Sequence, residues 1–299
     1  MSSARKTTIA AALLLVIFFA GSVMALRKVD SSRGPQATLE DVLYVPSGKI
    51  LKRASLGYYG LLANIYWTRA VQYFGFHHLH HATHYELLYP LLDITTDLDP
   101  HLIVAYEYGS IFLSQQPPEG AGMPDKAVAL VEKGIRANPG YWRLYFTLGF
   151  IHYQDRHDYR AAQVAFEKGS EIPGALPWMK VMAARMAEHA DDVATAIALW
   201  NGVYETATDQ EVRKTAVTHL KSLKADVEIE ELERRVQLYR QRMGALPQHW
   251  DEMIAAGLLR GIPVDPSGAS YLLTSSGKVE VQNPSDFPYL GQGRTKKKN

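Results

Sequence analysis

The reading of this chain turns on residues 145–173, YFTLGFIHYQDRHDYRAAQVAFEKGSEIP. Two apolar runs with helical spacing flank a short polar break, and a proline closes the second run. Its landmark residues recur on either side. Ala127, Ala162 and Ala196 are spaced 35 and 34 residues apart, as are Val131, Phe166 and Trp200, and Gly134, Gly169 and Val203. A period of this length on helical sequence points to helix hairpins that stack on one another, because one hairpin cannot bury its own apolar face. The expected fold is all-α: an α-solenoid of about three to four hairpins, spanning residues 51–209.

The motifs of residues 102–209 resemble the tetratricopeptide repeat (TPR) family. One repeat reads Tyr145, Leu148-Gly149 and Tyr153, then Ala162, Phe166, Gly169 and Pro173. The preceding one reads Tyr108-Gly109, Phe112, Ala127, Val131, Gly134 and Pro139; the next has Ala184, Ala196, Trp200 and Val203 but no closing proline. Leu56 to Pro100 reads as a degenerate first repeat, with Leu88 and Leu92 in place of the small and bulky residues. Small residues let paired helices approach, so Gly149 is expected against Ala162. Phe166 and Trp200 are expected to fill the space between hairpins. The longer turns at 114–124 and 154–158 are expected on the surface, the first as a mobile lip.

Composition narrows the function classes. The 299 residues include 32 Lys and Arg, 31 Asp and Glu, and 47% hydrophobic residues, with a formal net charge of +1. That supports a folded core and gives no case for a nucleic-acid partner, which needs a clustered basic face. The absence of cysteine removes disulfides, thiol catalysis, c-type haem attachment and cysteine lipidation.

Arg5 and Lys6 precede an uncharged, mostly apolar run, residues 7–26. Twenty residues just span a hydrocarbon core of ~30 Å. The run reads as a signal anchor in a bacterial inner membrane, with the bulk of the chain in the periplasm. The alternative is a signal peptide cleaved near Ala25, releasing the protein to the periplasm. Residues 27–50 read as a linker. Beyond the repeats, residues 210–243 read as two helices, Glu211–Leu223 and Glu228–Met243. Residues 244–290 read as a small module with a helix around Trp250–Leu259 and a β-hairpin at 270–282. Residues 291–299 form a basic tail. Tyr239, Gly244, Pro247, Gly257, Pro263, Asp265-Pro266, Gly268, Tyr271 and Gly277 are loosely similar to the tail of major pseudopilins.

Two candidate sites follow. The TPR resemblance implies a protein-binding groove along the first helices of the hairpins: Ile103, Tyr106 and Ser110; Arg143, Phe146, Phe150, Tyr153 and Gln154; Trp178, Val181, Arg185 and Glu188. Aromatic residues and arginine are what interface hot spots use. Phe146 and Phe150 can equally pack only against the neighbouring hairpin. The second candidate is FHHLHHATHY (76–85). If that stretch is helical, His77, His80, His81 and His84 share a face at spacings suited to zinc, copper or nickel. The competing reading is a polar turn.

No nucleophile elbow, phosphate-binding glycine loop or zinc-protease helix is present. Asp191-Asp192 and the Glu228–Glu233 cluster read as helix caps and solvated faces. His249 with Asp251-Glu252 suits acid–base chemistry only in a cleft. The expectation is therefore a membrane-tethered extracytoplasmic scaffold, without enzymatic activity or cofactor, that binds proteins through its groove. The alternatives are a metal- or haem-binding protein centred on the histidines, and an accessory subunit of a secretion or pilus assembly system.

Overall fold

The computed structural model describes residues 13–24, 27–28 and 47–292. From Ser47 onward the chain is a succession of helices: α1 (Gly48–Ala54), α2 (Tyr59–Leu79), α3 (Leu88–Leu98), α4 (Ile103–Ser114), α5 (Pro124–Ala137), α6 (Trp142–Phe150), α7 (Tyr159–Ser170), α8 (Trp178–His189) and α9 (Val193–Thr206). Each of α2 to α9 packs on its neighbours in the chain, and α1 lies on α3.

The helix starts follow from local chemistry. The carboxylates of Asp158 and Asp192 accept the N–H groups of Ala161 and Thr195, at 3.0 and 3.2 Å. Each satisfies a donor left free in a first turn. Pro124 opens α5, where its missing N–H costs nothing.

The 34–35-residue repeat defines the core. Ala127, Ala162, Ala196, Val131, Phe166 and Trp200 are fully buried, and Val203, Gly134 and Gly169 are buried beside them. Leu88 and Leu92, from the degenerate repeat, are also fully buried. The glycines mark close approaches. A Cβ at Gly134 would stand 2.7 Å from the Tyr106 ring, and one at Gly149 would stand 2.7 Å from the Phe166 ring. The nearest neighbour of Gly149 is therefore the Phe166 ring, and the small residue makes room for it.

Several expectations need correction. Residues 210–243 form one helix, α10 (Gln210–Met243), not two. Nothing between Leu223 and Glu228 breaks a helix, and Ala225 and Asp226 there are buried. Asp226 accepts the Gly291 N–H at 3.0–3.1 Å. The expected linker ends early, because Ser47 caps α1 through the Ile50 N–H. The 114–124 turn packs back on the helices, with Ala121 and Met123 N–H groups donating to the Phe112 and Leu113 carbonyls at 2.8 and 2.7 Å. It is no free lip. The extra residue expected after α6 is absorbed as a π-helical turn, Ile151–Asp155.

At ~1.5 Å rise per residue, α10 is a rod about 50 Å long that joins two cores. Its first half (Ala216, Leu223) packs with α8 and α9; its second half (Ala225, Leu232, Val236, Tyr239) packs with the C-terminal module. That module holds α11 (Trp250–Ala255) and an antiparallel pair, β1 (Leu272–Leu273) with β2 (Val279–Glu280), registered as Leu272↔Glu280 and Leu273↔Val279. The expected hairpin is present but shorter, as is the helix expected to reach Leu259. Gly277 closes the turn with φ +78°, and a Cβ there would meet Leu246 at 2.8 Å. The Trp250 indole N–H donates to the Tyr271 carbonyl at 2.8 Å, and the Tyr271 hydroxyl to Glu228 at 2.8 Å.

Residues 13–24 are helical, and Leu13 to Phe19 are exposed. Among the described residues no helix is long and apolar enough to cross a membrane. Residues 7–12 and 25–26 of the expected span lie outside the described residues, as does most of the basic tail.

The two kinds of helical glycine should respond oppositely to alanine. Gly149→Ala forces a methyl into the Phe166 ring and is expected to cost ~1–3 kcal/mol. Gly202 in α9 has nothing within 4 Å of the added Cβ, so Gly202→Ala is expected to stabilise by ~0.5–1 kcal/mol. Urea unfolding of the two variants beside the parent measures both signs.

Candidate functional site: an aromatic strip across α6, α7 and α8

The residues expected to line the groove divide into two groups. Tyr106, Ser110 and Glu188 belong to the core. Tyr106 and Ser110 are fully buried, and Glu188 is 3% exposed. The Tyr106 ring fills the space left by Gly134, and burial pushes its hydroxyl up to about 12. The Ser110 hydroxyl donates to the Glu107 carbonyl one turn back, at 2.9 Å. These three are corrections to the expected groove. The helical period assigns a face, but only the curvature of the stack decides how deep a position lies.

Glu188 is the most informative of the three. Its Oε1 accepts the Trp200 indole N–H at 2.7 Å and Nδ1–H of His219 at 2.8 Å. A carboxylate only accepts, so His219 must carry its hydrogen on Nδ1. The His219 ring is stacked between Trp200 and Tyr289, with centroids 4.0 and 3.5 Å away. The carboxylate thus joins α8, α9, α10 and the C-terminal segment. It is structural, not a contact offered to a partner.

The second group stays at the surface. Arg143, Gln154, Trp178 and Arg185 are exposed; Ile103, Phe146, Phe150, Tyr153 and Val181 are half-buried. Phe146 lies 4.8 Å from Phe150 and edge-on to Trp178 at 5.3 Å. Phe150 lies edge-on to Phe166 at 5.3 Å and continues to Tyr153 at 6.4 Å. Tyr153 is 6.1 Å from Tyr159, which stacks on His189 at 5.2 Å. The phenylalanines therefore pack against the neighbouring hairpin without being fully covered by it. One side of each ring packs on the next hairpin and the other borders solvent. The tilted and edge-on geometries are those that aromatic quadrupoles favour.

Charge sits at both ends of the strip. The Arg143 guanidinium lies 5.4 Å from the Trp142 ring centroid. Burial raises the Glu107 carboxyl above the usual range, against a lowering by Arg143. At the far end burial lowers His189, and Arg185 lowers it further. Sequence reasoning missed Glu107, Tyr159 and His189. Glu107 stands four residues after Ile103, on the same face of α4, and that spacing was available. Tyr159 and His189 belong to different hairpins, and no pattern within one helix could pair them.

The histidine candidate does not assemble. α2 ends at Leu79, and His81 has φ +52°. His77, His80, His81 and His84 therefore do not share a helix face. The Nδ1 atoms of His77 and His80 sit 2.9 and 2.7 Å from the Tyr73 and Phe76 carbonyls, and His84 Nδ1 is 2.8 Å from the Thr83 hydroxyl. Among the described residues no group of three or more His, Asp or Glu is placed to hold a metal ion. The first four residues of the stretch 76–85 end α2, and residues 80–84 form a polar turn.

Comparison with known proteins adds no assignment: no family profile, curated protein or solved structure matches this chain.

Two predictions follow from the charges around the strip. Glu188→Ala strands the Trp200 and His219 donors in the interior and is expected to destabilise by about 3 kcal/mol. Arg185→Ala, on the exposed side of the same helix, is expected to stay within ~0.5 kcal/mol of the parent. Denaturant melts of the two variants separate the roles. The second concerns pH. Burial lowers His152 and His189 below the ordinary imidazole value. Below ~6.5 the unfolded chain binds protons that these folded rings do not, so stability is expected to fall as pH drops from about 7 to 5. Thermal melts across that range should show a shallower slope in a His152→Gln/His189→Gln variant.

Proposed function

We propose that this protein is a membrane-tethered, extracytoplasmic scaffold of TPR type that grips another polypeptide along the aromatic strip. The observation that carries the reading is the half-buried run Phe146, Phe150 and Tyr153 beside the exposed Trp178, with Arg143 and Arg185 exposed nearby. Flat rings already held by their neighbours lose little freedom on binding. They offer large apolar area beside arginines that reach carboxylates or backbone carbonyls, the combination found at interface hot spots. The 34–35-residue period and the sequential packing of helices support the repeat assignment. The uncharged run at 7–26 and the exposed apolar side chains of the helical residues 13–24 support the tether. A periplasmic location for the helical body follows from that tether.

The end cap of the stack is α10 rather than the C-terminal module, which packs on the far half of that helix. α10 covers the apolar side of α9 with Ala216 and Leu223, and a solenoid needs such a cover on its last repeat. A role as accessory subunit in secretion or pilus assembly is a narrower version of the same reading. Its support is a long helix packed on a small antiparallel hairpin, together with the pseudopilin-like tail.

A photo-crosslinking amino acid in place of Trp178, in native membranes, is expected to yield discrete adducts with another protein. The same group in place of Tyr204, exposed on α9, should yield none. Arg143→Ala and Arg185→Ala in the Trp178-labelled chain are each expected to reduce the adducts several-fold. Equal adducts at the two positions, or adducts indifferent to both arginines, would remove the strip as the binding surface.

A further inference from the structure

Residues 42–85 contain no Asp or Glu, in a chain that has 31. The same stretch carries Lys49, Lys52, Arg53 and Arg69, then histidines at 77, 78, 80, 81 and 84. From Gly48 onward it forms α1, α2 and the turn that follows.

α2 is apolar on both sides. Its inner side packs on α3, with Ala63 and Ala70 fully buried. Its outer side carries Leu61 (61% exposed), Ile65 (40%), Phe76 (62%) and Leu79 (77%). Positions 61, 65, 68, 72, 76 and 79 follow helical spacing and form one stripe; the two in the middle are the uncharged Thr68 and Gln72. Tyr58, 71% exposed, continues the spacing of the stripe at the start of the helix, and Leu56 before it is 88% exposed. A helix apolar all round is normally covered all round. α3 covers only one side of this one.

Charge decides what fits the other side. Lys49 and Arg53 are exposed on α1. The Lys52 ammonium sits 5.1 Å from the Tyr59 ring centroid, at the α1–α2 junction. Elements that combine apolar and aromatic side chains with lysine and arginine, and have no carboxylates of their own, match the pattern of elements that lie in a lipid interface. The nearest carboxylate, Asp97 of α3, is paired with Lys133. The geometry of the chain suits that occupant. α1 begins about 20 residues after the apolar run. At no more than ~3.6 Å per residue, the face is held within about 75 Å of a bilayer entered by residues 7–26.

We propose that the α1–α2 face lies on the surface of a bilayer containing anionic phospholipid. Leu61, Ile65, Phe76 and Leu79 enter the boundary between headgroups and acyl chains, and Lys49 and Arg53 meet the phosphates. The inference rests on the membrane tether of the proposed function for delivering the face to the bilayer. The aromatic strip on α6 to α8 is a separate surface and stays available to a polypeptide.

The absence of cysteine lets one introduced thiol report one position. Full-length chains carrying a spin label at Leu61→Cys, Phe76→Cys, Phe18→Cys or Val164→Cys are reconstituted with phosphatidylcholine vesicles, with and without phosphatidylglycerol. Accessibility to oxygen and to a water-soluble nickel chelate gives the depth of each label. With phosphatidylglycerol, the labels at 61 and 76 are expected to become accessible to oxygen and shielded from nickel. The label at 164, on α7, should stay in water. High salt or a Lys49→Glu/Arg53→Glu change should return 61 and 76 to water. The label at Phe18 tests the tether separately: lipid at 18 with water at 61 and 76 overturns the inference and leaves the tether intact. Water at 18 with lipid at 61 and 76 overturns the tether and supports the inference. Dipolar broadening at 61 and 76 independent of lipid means that a second copy covers the face, and overturns the inference.

Discussion

One buried carboxylate holds the two parts of this molecule in register. Glu188 lies at the end of α8, almost without solvent contact, and receives hydrogen bonds from Trp200 and His219. A buried charge persists only where donors compensate it. Here one donor belongs to the last repeat hairpin and the other to the long helix that follows it. The stacking of His219 between Trp200 and Tyr289 extends the constraint to the C-terminal segment. The repeat residue Trp200 thus acts twice, filling the space between helices and orienting the carboxylate. Removing apolar contacts at this junction would loosen the cap; removing the carboxylate would leave unpaired donors in the interior.

From that junction the rest follows by covering of faces. Each hairpin hides its apolar side against the next, and α10 hides the last one before carrying on into the C-terminal module. At the other end of the stack, no helix among the described residues takes the equivalent position over α2, and its outer stripe is exposed. Among those residues the stack is covered at its C-terminal end and uncovered at its N-terminal end. The aromatic strip of α6 to α8 lies between those ends. There the rings are half-used by the core and half-presented to solvent.

Much of the fold was legible in the residues themselves. The spacing of Ala127, Ala162 and Ala196, and of Val131, Phe166 and Trp200, marked positions that are all fully buried. The cap at Asp192 and the helix end at Met243, followed by Gly244, also lie where the residues predict. The errors share a cause. Tyr106, Ser110 and Glu188 sit on the predicted helical face but below the surface, because depth depends on how strongly neighbouring hairpins curve over it. The histidines needed a helix through residue 84, and α2 ends at Leu79. Residues 210–243 form one helix because the charged middle segment contains no breaker, and Ala225 and Asp226 are buried there on its inner side.

The sequence by itself determined the helical class, the repeat length, which side chains fill the core, and the acid-free character of residues 42–85. These depend on local spacing and composition, which a linear chain carries in full. Only the tertiary structure decided which groove positions reach solvent, that Glu188 joins Trp200 to His219, and that α2 keeps one side uncovered. Those outcomes depend on angles and distances between hairpins. They are set by side-chain volumes meeting across more than 30 residues of chain, as with Glu188 and His219, 31 positions apart.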